Sequence, residues 1–295
     1  MPQRIFPTLL AAIALAGSAY AQRDFSDVTI KATKVAGSVY MLEGSGGNIG
    51  VCAGPDGILV VDDQFAPLAD KILAAIKEID PGPIKFILNT HWHGDHTGGN
   101  VVFGPLAPII AQTNVRQRLT TPQHLNERTI DPLPAKGLPV ITFDNSITLH
   151  FNGEEIDVIH FPHGHTDGDS VVFFKKSNVV HMGDLMFSGM FPFVDLDHGG
   201  DIVGLAVNVA AIIERLPADV KLIPGHGPIS TLDDLKAFHA MLEKTTNFVR
   251  KRIKAGRTLD ALKEAGLPEK WKPWGTGFIK TDRWIETIYK SLTRE

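Results

Sequence analysis

The chain has 295 residues, 43% of them hydrophobic and 21% charged, with a formal net charge of −4 and a single cysteine. That composition supplies a sizeable core and excludes a disordered or collagen-like chain. The slightly acidic balance leaves no basic footprint for nucleic acid, and the lone Cys52 rules out an intrachain disulfide framework.

The first residues read as a processing signal. Arg4 is a short basic region, Ile5 to Ala16 is almost unbroken apolar sequence, and Ala19-Tyr20-Ala21 is a small-x-small cleavage site. The apolar run falls short of the roughly 20 residues that span a bilayer. Residues 1–21 are therefore expected to be a signal peptide cleaved near Ala21. Residues 22–295 are expected as one exported domain, periplasmic or secreted, with a helical C-terminal extension. No later segment is apolar enough for membrane insertion.

Short β-like runs open the mature chain at Val39–Leu42, Asn48–Val51 and Ile58–Val61, separated by glycine-bearing turns. A helix follows, with Pro67 near its first turn and Leu68, Ile72, Leu73, Ile76 and Ile79 on one face, stopped by Asp80-Pro81-Gly82. A buried-type strand, Phe86–Leu88, runs into His91-Trp92-His93-Gly94-Asp95-His96. Thr120–Pro139 is polar and proline-rich, an expected surface excursion beside the active-site mouth.

A second strand series takes in Val140–Phe143, Ile147–Phe151, Ile156–Ile159, Val171–Phe174 and Val179–His181, the last ending at Gly183-Asp184. A helix over Val203–Leu216, the strand Lys221–Ile223 and the turn Pro224-Gly225-His226-Gly227 come next. Thr231 and Asp234 suit a capping box for a helix with the stripe Leu235, Phe238, Leu242 and Val249. The tail repeats the amphipathic pattern with Trp284, Ile285, Ile288, Tyr289 and Leu292. Strands then helix occurs twice, which is compatible with two halves packed sheet to sheet with helices outside. Periodicity alone leaves that topology as one option among several.

The chemistry concentrates where strands end. His91, His93, Asp95 and His96 alternate in an extended turn, so His91 and His93 can grip one cation while Asp95 and His96 face a second. Imidazole suits zinc, and a carboxylate raises the negative field that holds another divalent ion nearby. The run His91 to Asn100 resembles the HxHxDH signature of the metallo-β-lactamase superfamily. Gly164-His165-Thr166-Asp167-Gly168-Asp169-Ser170 resembles its GHTxGS element, Gly183-Asp184 its GD element, and Pro224-Gly225-His226-Gly227 its PGHG turn. Val60-Val61-Asp62 resembles the first motif of the family, and the likeness spans Val39 to Pro228.

The resemblance implies an α/β fold, the four-layer αββα sandwich. It also implies two Zn(2+) ions per chain, although manganese or iron would suit the same donors. His91, His93 and His165 would hold the first ion and Asp95, His96 and His226 the second, with Asp184 between them. A hydroxide generated on the metals would attack a carbonyl, with Asp95 orienting it and passing a proton. Asp62, rather than its neighbour Asp63, is expected to hydrogen-bond a ligand histidine.

Other residues are read more plainly. His163 is expected beside the ligands or in a pocket wall, His160 and His181 packed in strands, and His124, His150, His198 and His239 mostly towards solvent. The run after Asp184 is equally core or the apolar wall of the substrate pocket, with Phe187, Ser188 and Phe191 as pocket candidates. Trp271, Trp274 and Phe278 either close over the mouth or dock the last helix.

The expected function is hydrolysis of a small molecule at a cyclic amide or ester carbonyl, with β-lactamase activity within its range. One alternative is a thioester hydrolase of the hydroxyacylglutathione type, which export disfavours. Another is a non-hydrolytic di-iron oxidoreductase, but no flavin module fits after His226. Two departures bear on lactams. Asp184 stands where some β-lactamases carry cysteine, and Met186 and Phe187 stand where a polar or basic anchor is common.

Overall fold

A computed structural model describes residues 24–125 and 127–294. The expected signal peptide lies outside the described residues. Among them, no helix is long and apolar enough to cross a membrane.

The first half contributes β1 (Lys31–Ala36), β2 (Val39–Glu43), β3 (Ile49–Gly54) and β4 (Gly57–Val61), then α1 (Ala69–Ile79) and β5 (Ile84–Asn89). Two short helices, α2 (Gly94–Thr97) and α3 (Asn100–Phe103), lead to β6 (Ile109–Gln112) and α4 (Thr113–Leu119). A small hairpin, β7 (Gln123–Leu125) with β8 (Arg128–Ile130), precedes β9 (Ile141–Phe143). The seven-stranded sheet has the order β1-β2-β3-β4-β5-β6-β9, antiparallel up to β4 and parallel from there on. β1 escapes the sequence reading because its alternation is polar. It is an edge strand with Lys31 exposed and Val35 its one fully buried side chain, the charged edge that discourages pairing with another chain.

The second half builds β10 (Ser146–Phe151), β11 (Glu154–His160), β12 (Ser170–Phe174) and β13 (Val179–Phe187), then α5 (Ile202–Ile213), β14 (Lys221–His226) and β15 (Ser230–Thr231). These six strands lie in sequence order, with β13 and β14 parallel. Helices α6 (Leu232–Lys254), α7 (Leu259–Ala265) and α8 (Thr281–Thr293) complete the chain. The capping box at the start of α6 is present: Thr231 Oγ1 accepts from Asp234 N, and Asp234 Oδ2 accepts from Thr231 N at 2.8 Å.

Strand alternation decides the layering. In β4, Ile58 and Val60 pack on Ile72 and Ile76 of α1, while Leu59 and Val61 point the other way into Val158, Val172 and Ile223 of the second sheet. On the far face of that sheet, Val171, Val180 and Met182 pack against Leu205 of α5, Phe238 of α6 and Ile288 of α8. The result is the four-layer αββα sandwich. Each buried Val, Ile or Leu contributes roughly 1.5–3 kcal/mol, and a one-residue slip in β4 would turn all four side chains to the wrong layer. Cys52 is buried between the sheets with its thiol free.

One strand differs from its sequence reading. β13 does not stop at His181 but runs on to Phe187, so Asp184 sits inside a strand. Gly183 adopts φ +49, the pairing with β14 shifts register on both sides of it, and contact resumes at Phe187 opposite His226. A residue without Cβ allows that kink, and the kink re-aims the carboxylate that follows.

Candidate metal centre

The donors converge at one edge of the sandwich, where β5, β13 and β14 end. His91 and His93 follow β5, Asp95 and His96 lie in the first turns of α2, His165 sits in the β11–β12 loop, and His226 closes β14. Asn48 ties the two halves together there: its backbone N–H donates to Gly225 O, and its side chain donates to Pro224 O at 2.9 Å and Gly227 O at 2.7 Å.

Two groups of ligand atoms result, each with its members within 4.8 Å of one another: His91, His93, His165 and Asp184 in one, and Asp95, His96 and His226 in the other. Asp184 reaches across both. Its Oδ2 lies 3.3 Å from His165 Nε2, 3.8 Å from His91 Nε2 and 3.5 Å from His226 Nε2, and its Oδ1 lies 3.1 Å from His96 Nε2. Asp95 Oδ2 is 3.4 Å from His226 Nε2.

The outer nitrogen of each buried histidine is anchored, which fixes which nitrogen carries the proton. His165 Nδ1 donates to Phe193 O at 2.7 Å, His96 Nδ1 to Asp62 Oδ2 at 2.7 Å, and His93 Nε2 to Asp195 Oδ2 at 2.8 Å. Thr90 Oγ1 gives its hydrogen to Asp62 Oδ2 at 2.7 Å, so it accepts from His91 Nδ1 at 3.1 Å. Every inner nitrogen is thereby left as a lone pair facing the same space.

Three of the converging atoms, His91 Nε2, His96 Nε2 and Asp184 Oδ1, are buried without a hydrogen-bond partner among the described residues. The last two lie close, but not in hydrogen-bonding geometry. Each such atom costs about 1–3 kcal/mol if left unsatisfied. His93 Nδ1 and His165 Nε2 face each other at 2.8 Å, lone pair to lone pair. A divalent cation relieves both problems, and imidazole with carboxylate is the donor set that such ions take.

For His91 and His165 the electrostatics agree. Burial pushes the His91 imidazole well down and His165 down to about 4, which keeps both rings neutral, the form in which an imidazole can take a metal ion. Burial alone would raise Asp184, yet His96, His226, His165 and His91 hold it well below the usual carboxylate range. His96 and His226 are raised against the pull of burial, chiefly by Asp184.

Asp62 stands behind the centre with φ +63, accepting from Thr90 N as well as from His96. Asp63 turns away to accept from Gly99 N, and burial pushes its carboxyl well above its ordinary value. In the His165 loop, Asp169 accepts from Thr166 N and Oγ1, and burial pushes Asp169 up to about 8. That closed turn holds His165 in place.

The sequence reading missed Asp195, which is 2% exposed and accepts from both His93 and His198. His198, expected towards solvent, is buried instead, with its ring 4.8 Å from that of Trp92. Asp195→Ala is expected to lower metal affinity by about 10–100-fold, the usual effect of removing the partner of a ligating histidine. Competition against a chromophoric chelator measures it, and wild-type affinity would mean that His93 needs no anchor.

The pocket assignment needs correcting. Phe187 and Phe191 are fully buried, on the core side of the two alternatives. Phe191 stacks on Trp284 at 5.3 Å, and Phe187 lies flat against His226 at 4.9 Å as packing beneath the ligand. Ser188 is half-buried, and its hydroxyl accepts from Ser230. An exposed aromatic beside the donors is Phe278, 57% exposed with its ring 5.5 Å from His226, whereas Trp274 packs towards Phe238. His163 is exposed with φ +55, its Nδ1 3.4 Å from Gly199 O. His160 and His181 are hydrogen-bonded to Asp169 O and Asn48 O.

The family model of the metallo-beta-lactamase superfamily matches residues 33–226. Over 144 residues the chain is 27% identical to the metallo-beta-lactamase type 2 of Bacteroides fragilis, covering 48% of this chain and 52% of that protein. A metallo-beta-lactamase from Pontibacter korlensis superposes with a TM-score of 0.61 at 19% identity, over 73% of this chain and 99% of that one. A variant of a sec-alkyl sulfatase superposes with a TM-score of 0.69 at 15% identity, over 90% of this chain but 50% of that one. At such identities the two solved structures speak for the fold alone.

Proposed function

This chain belongs to the metallo-β-lactamase superfamily, whose members are mostly hydrolases, and from that premise we propose that it is a dinuclear zinc-dependent hydrolase acting on a cyclic amide or ester carbonyl. The observation that carries the reading is the convergence of both donor groups on Asp184, with the outer nitrogens of the buried histidines anchored and three buried atoms left without a partner. His91, His93 and His165 would hold one zinc ion and Asp95, His96 and His226 the other, with Asp184 shared. When bound, the ions would supply Lewis acidity and lower the pKa of water.

The chain's own groups divide the remaining work. Asp184, 5% exposed, keeps a negative charge where two cations would meet. Asp95 is the carboxylate of the cluster that reaches solvent, with its side chain 31% exposed. It is therefore the group able to take a proton from water and deliver it to a leaving nitrogen or oxygen. Phe278 offers an apolar surface beside His226.

The relatives that carry the name metallo-beta-lactamase make β-lactams the first substrates to try. Met186 and Phe187, however, are buried, so neither offers an anchor to a lactam carboxylate. With few ground-state contacts and intact chemistry, a high KM with a usable kcat is expected. Steady-state kinetics on a penicillin, a cephalosporin, a carbapenem and an acyl lactone test this. Inert lactams and lactones beside rapid turnover of a thioester or phosphoester would replace the cyclic-carbonyl reading. Export rests on the N-terminal pattern, and the intact mass of the protein recovered from its compartment tests it.

A further inference from the structure

Two residues after Asp62, Gln64 is fully buried and holds φ +54, the left-handed region that a residue with a Cβ enters only at a cost. Such a residue persists where its surroundings over-determine it, against about 1–3 kcal/mol. For Gln64 the surroundings are hydrogen bonds. Its side-chain Nε2 donates to Gly47 O at 2.6 Å, and its Oε1 accepts from Ser45 N at 3.3 Å. Its backbone O accepts from Gly99 N at 2.9 Å, three residues past His96. The amide thus splints the glycine-rich turn, residues 44–47, that joins β2 to β3.

The splinted turn lies on the second donor group, residue by residue. A Cβ built on Gly46 would stand 3.0 Å from Asp95 Cβ, and one built on Gly47 would overlap the His96 ring. Gly47 N also donates to Asp95 O at 3.1 Å. Asn48 comes next, with its clamp on Pro224 and Gly227, which bracket His226. Three consecutive residues, 46 to 48, therefore address Asp95, His96 and His226 in turn. A side chain at 46 or 47 would press on a donor, so close approach is what these glycines provide. The first group is anchored elsewhere: His93 on Asp195, His165 on Phe193 O and His91 on Thr90.

We propose that Gln64 is the positioning residue of the second metal site: through the turn at 44–47 it sets how closely Asp95 and His96 approach the space they share with His226. This deepens the dinuclear hydrolase reading above and rests on it.

The test is zinc titration of the full mature chain against a chromophoric chelator, with melting of the metal-free protein as the control for folding. Gln64→Met keeps the length and bulk of the side chain and removes both of its hydrogen bonds. It is expected to weaken one of two zinc equivalents about tenfold, the low end of what a lost supporting hydrogen bond costs a metal site, and to leave the other within about twofold. Two backgrounds identify the affected site. With the first site crippled by His165→Ala, Gln64→Met should still weaken the remaining equivalent; with the second crippled by His226→Ala, it should not. Gly47→Ala, which reaches His96 from the other side, should give the same split and decides the matter if Gln64→Met fails to fold.

Weakening of both equivalents alike, of neither, or of the first site alone overturns the proposal. A single wild-type equivalent that His226→Ala abolishes and Gln64→Met weakens keeps Gln64 in its role and removes the dinuclear reading. A single equivalent indifferent to Gln64→Met, or none at all, removes both. The expected split without turnover of any carbonyl substrate keeps the positioning role and removes the hydrolase reading instead.

Discussion

Asp184→Asn is expected to lower kcat/KM by about 10³-fold or more, because the charge that steadies two cations is worth several kcal/mol. The fold should survive. Asparagine has the same shape, and the strand around it is held by Gly183, by the pairing of Phe187 with His226 and by the packing of Leu185 and Met186. Zinc content, kcat/KM and thermal melting measured on the same preparation separate loss of metal from loss of structure. Occupancy of the second site should fall first, since Asp95, His96 and His226 alone supply fewer charges than they do with Asp184. His165→Ala should instead strip the first site. Unchanged metal content and rate in Asp184→Asn would remove Asp184 from its proposed place between the ions.

Chelation should abolish activity, and readdition of zinc should restore it at close to two equivalents per chain. A ligand that binds only the folded state at about 100 times its Kd stabilises that state by about 2.7 kcal/mol. For a chain of this size that corresponds to a fall in Tm of about 5–10 °C on metal removal. The direction follows from the three orphaned atoms and the opposed lone pairs of His93 and His165, all of which go uncompensated without a cation. Full activity after exhaustive chelation would end the metal-dependent reading.

The legible parts of the molecule were the local ones. The alternation of Ile58, Leu59, Val60 and Val61 encodes two opposed faces within one strand, and the spacing of the α1 apolar residues encodes the layer it meets. The ligands from His91 to His96 are adjacent in sequence, so their pattern needs no knowledge of tertiary structure. Asp195 was invisible for the opposite reason. Its partner His93 is 102 residues away, and nothing in Asp195-Leu196-Asp197-His198 announces that pairing. Phe187 and Phe191 read equally well as pocket or core because hydrophobicity does not encode direction. Their orientation depends on the kink at Gly183 and on the late arrival of Trp284 from α8.

The division of the donors between the two halves carries a consequence for the order of assembly. His91, His93, Asp95 and His96 come from the first half, and His165, Asp184 and His226 from the second. Each group therefore draws on both halves, and the two halves are joined beside it by the Asn48 clamp. Neither half by itself owns a complete set of the candidate donors, so a growing or unfolded chain would offer a cation only part of either group. Full coordination of a cation would then follow the docking of one sheet on the other. If the chain crosses a membrane before folding, it would arrive without a complete site, and the compartment that receives it, not the one that made it, would decide which metal fills it.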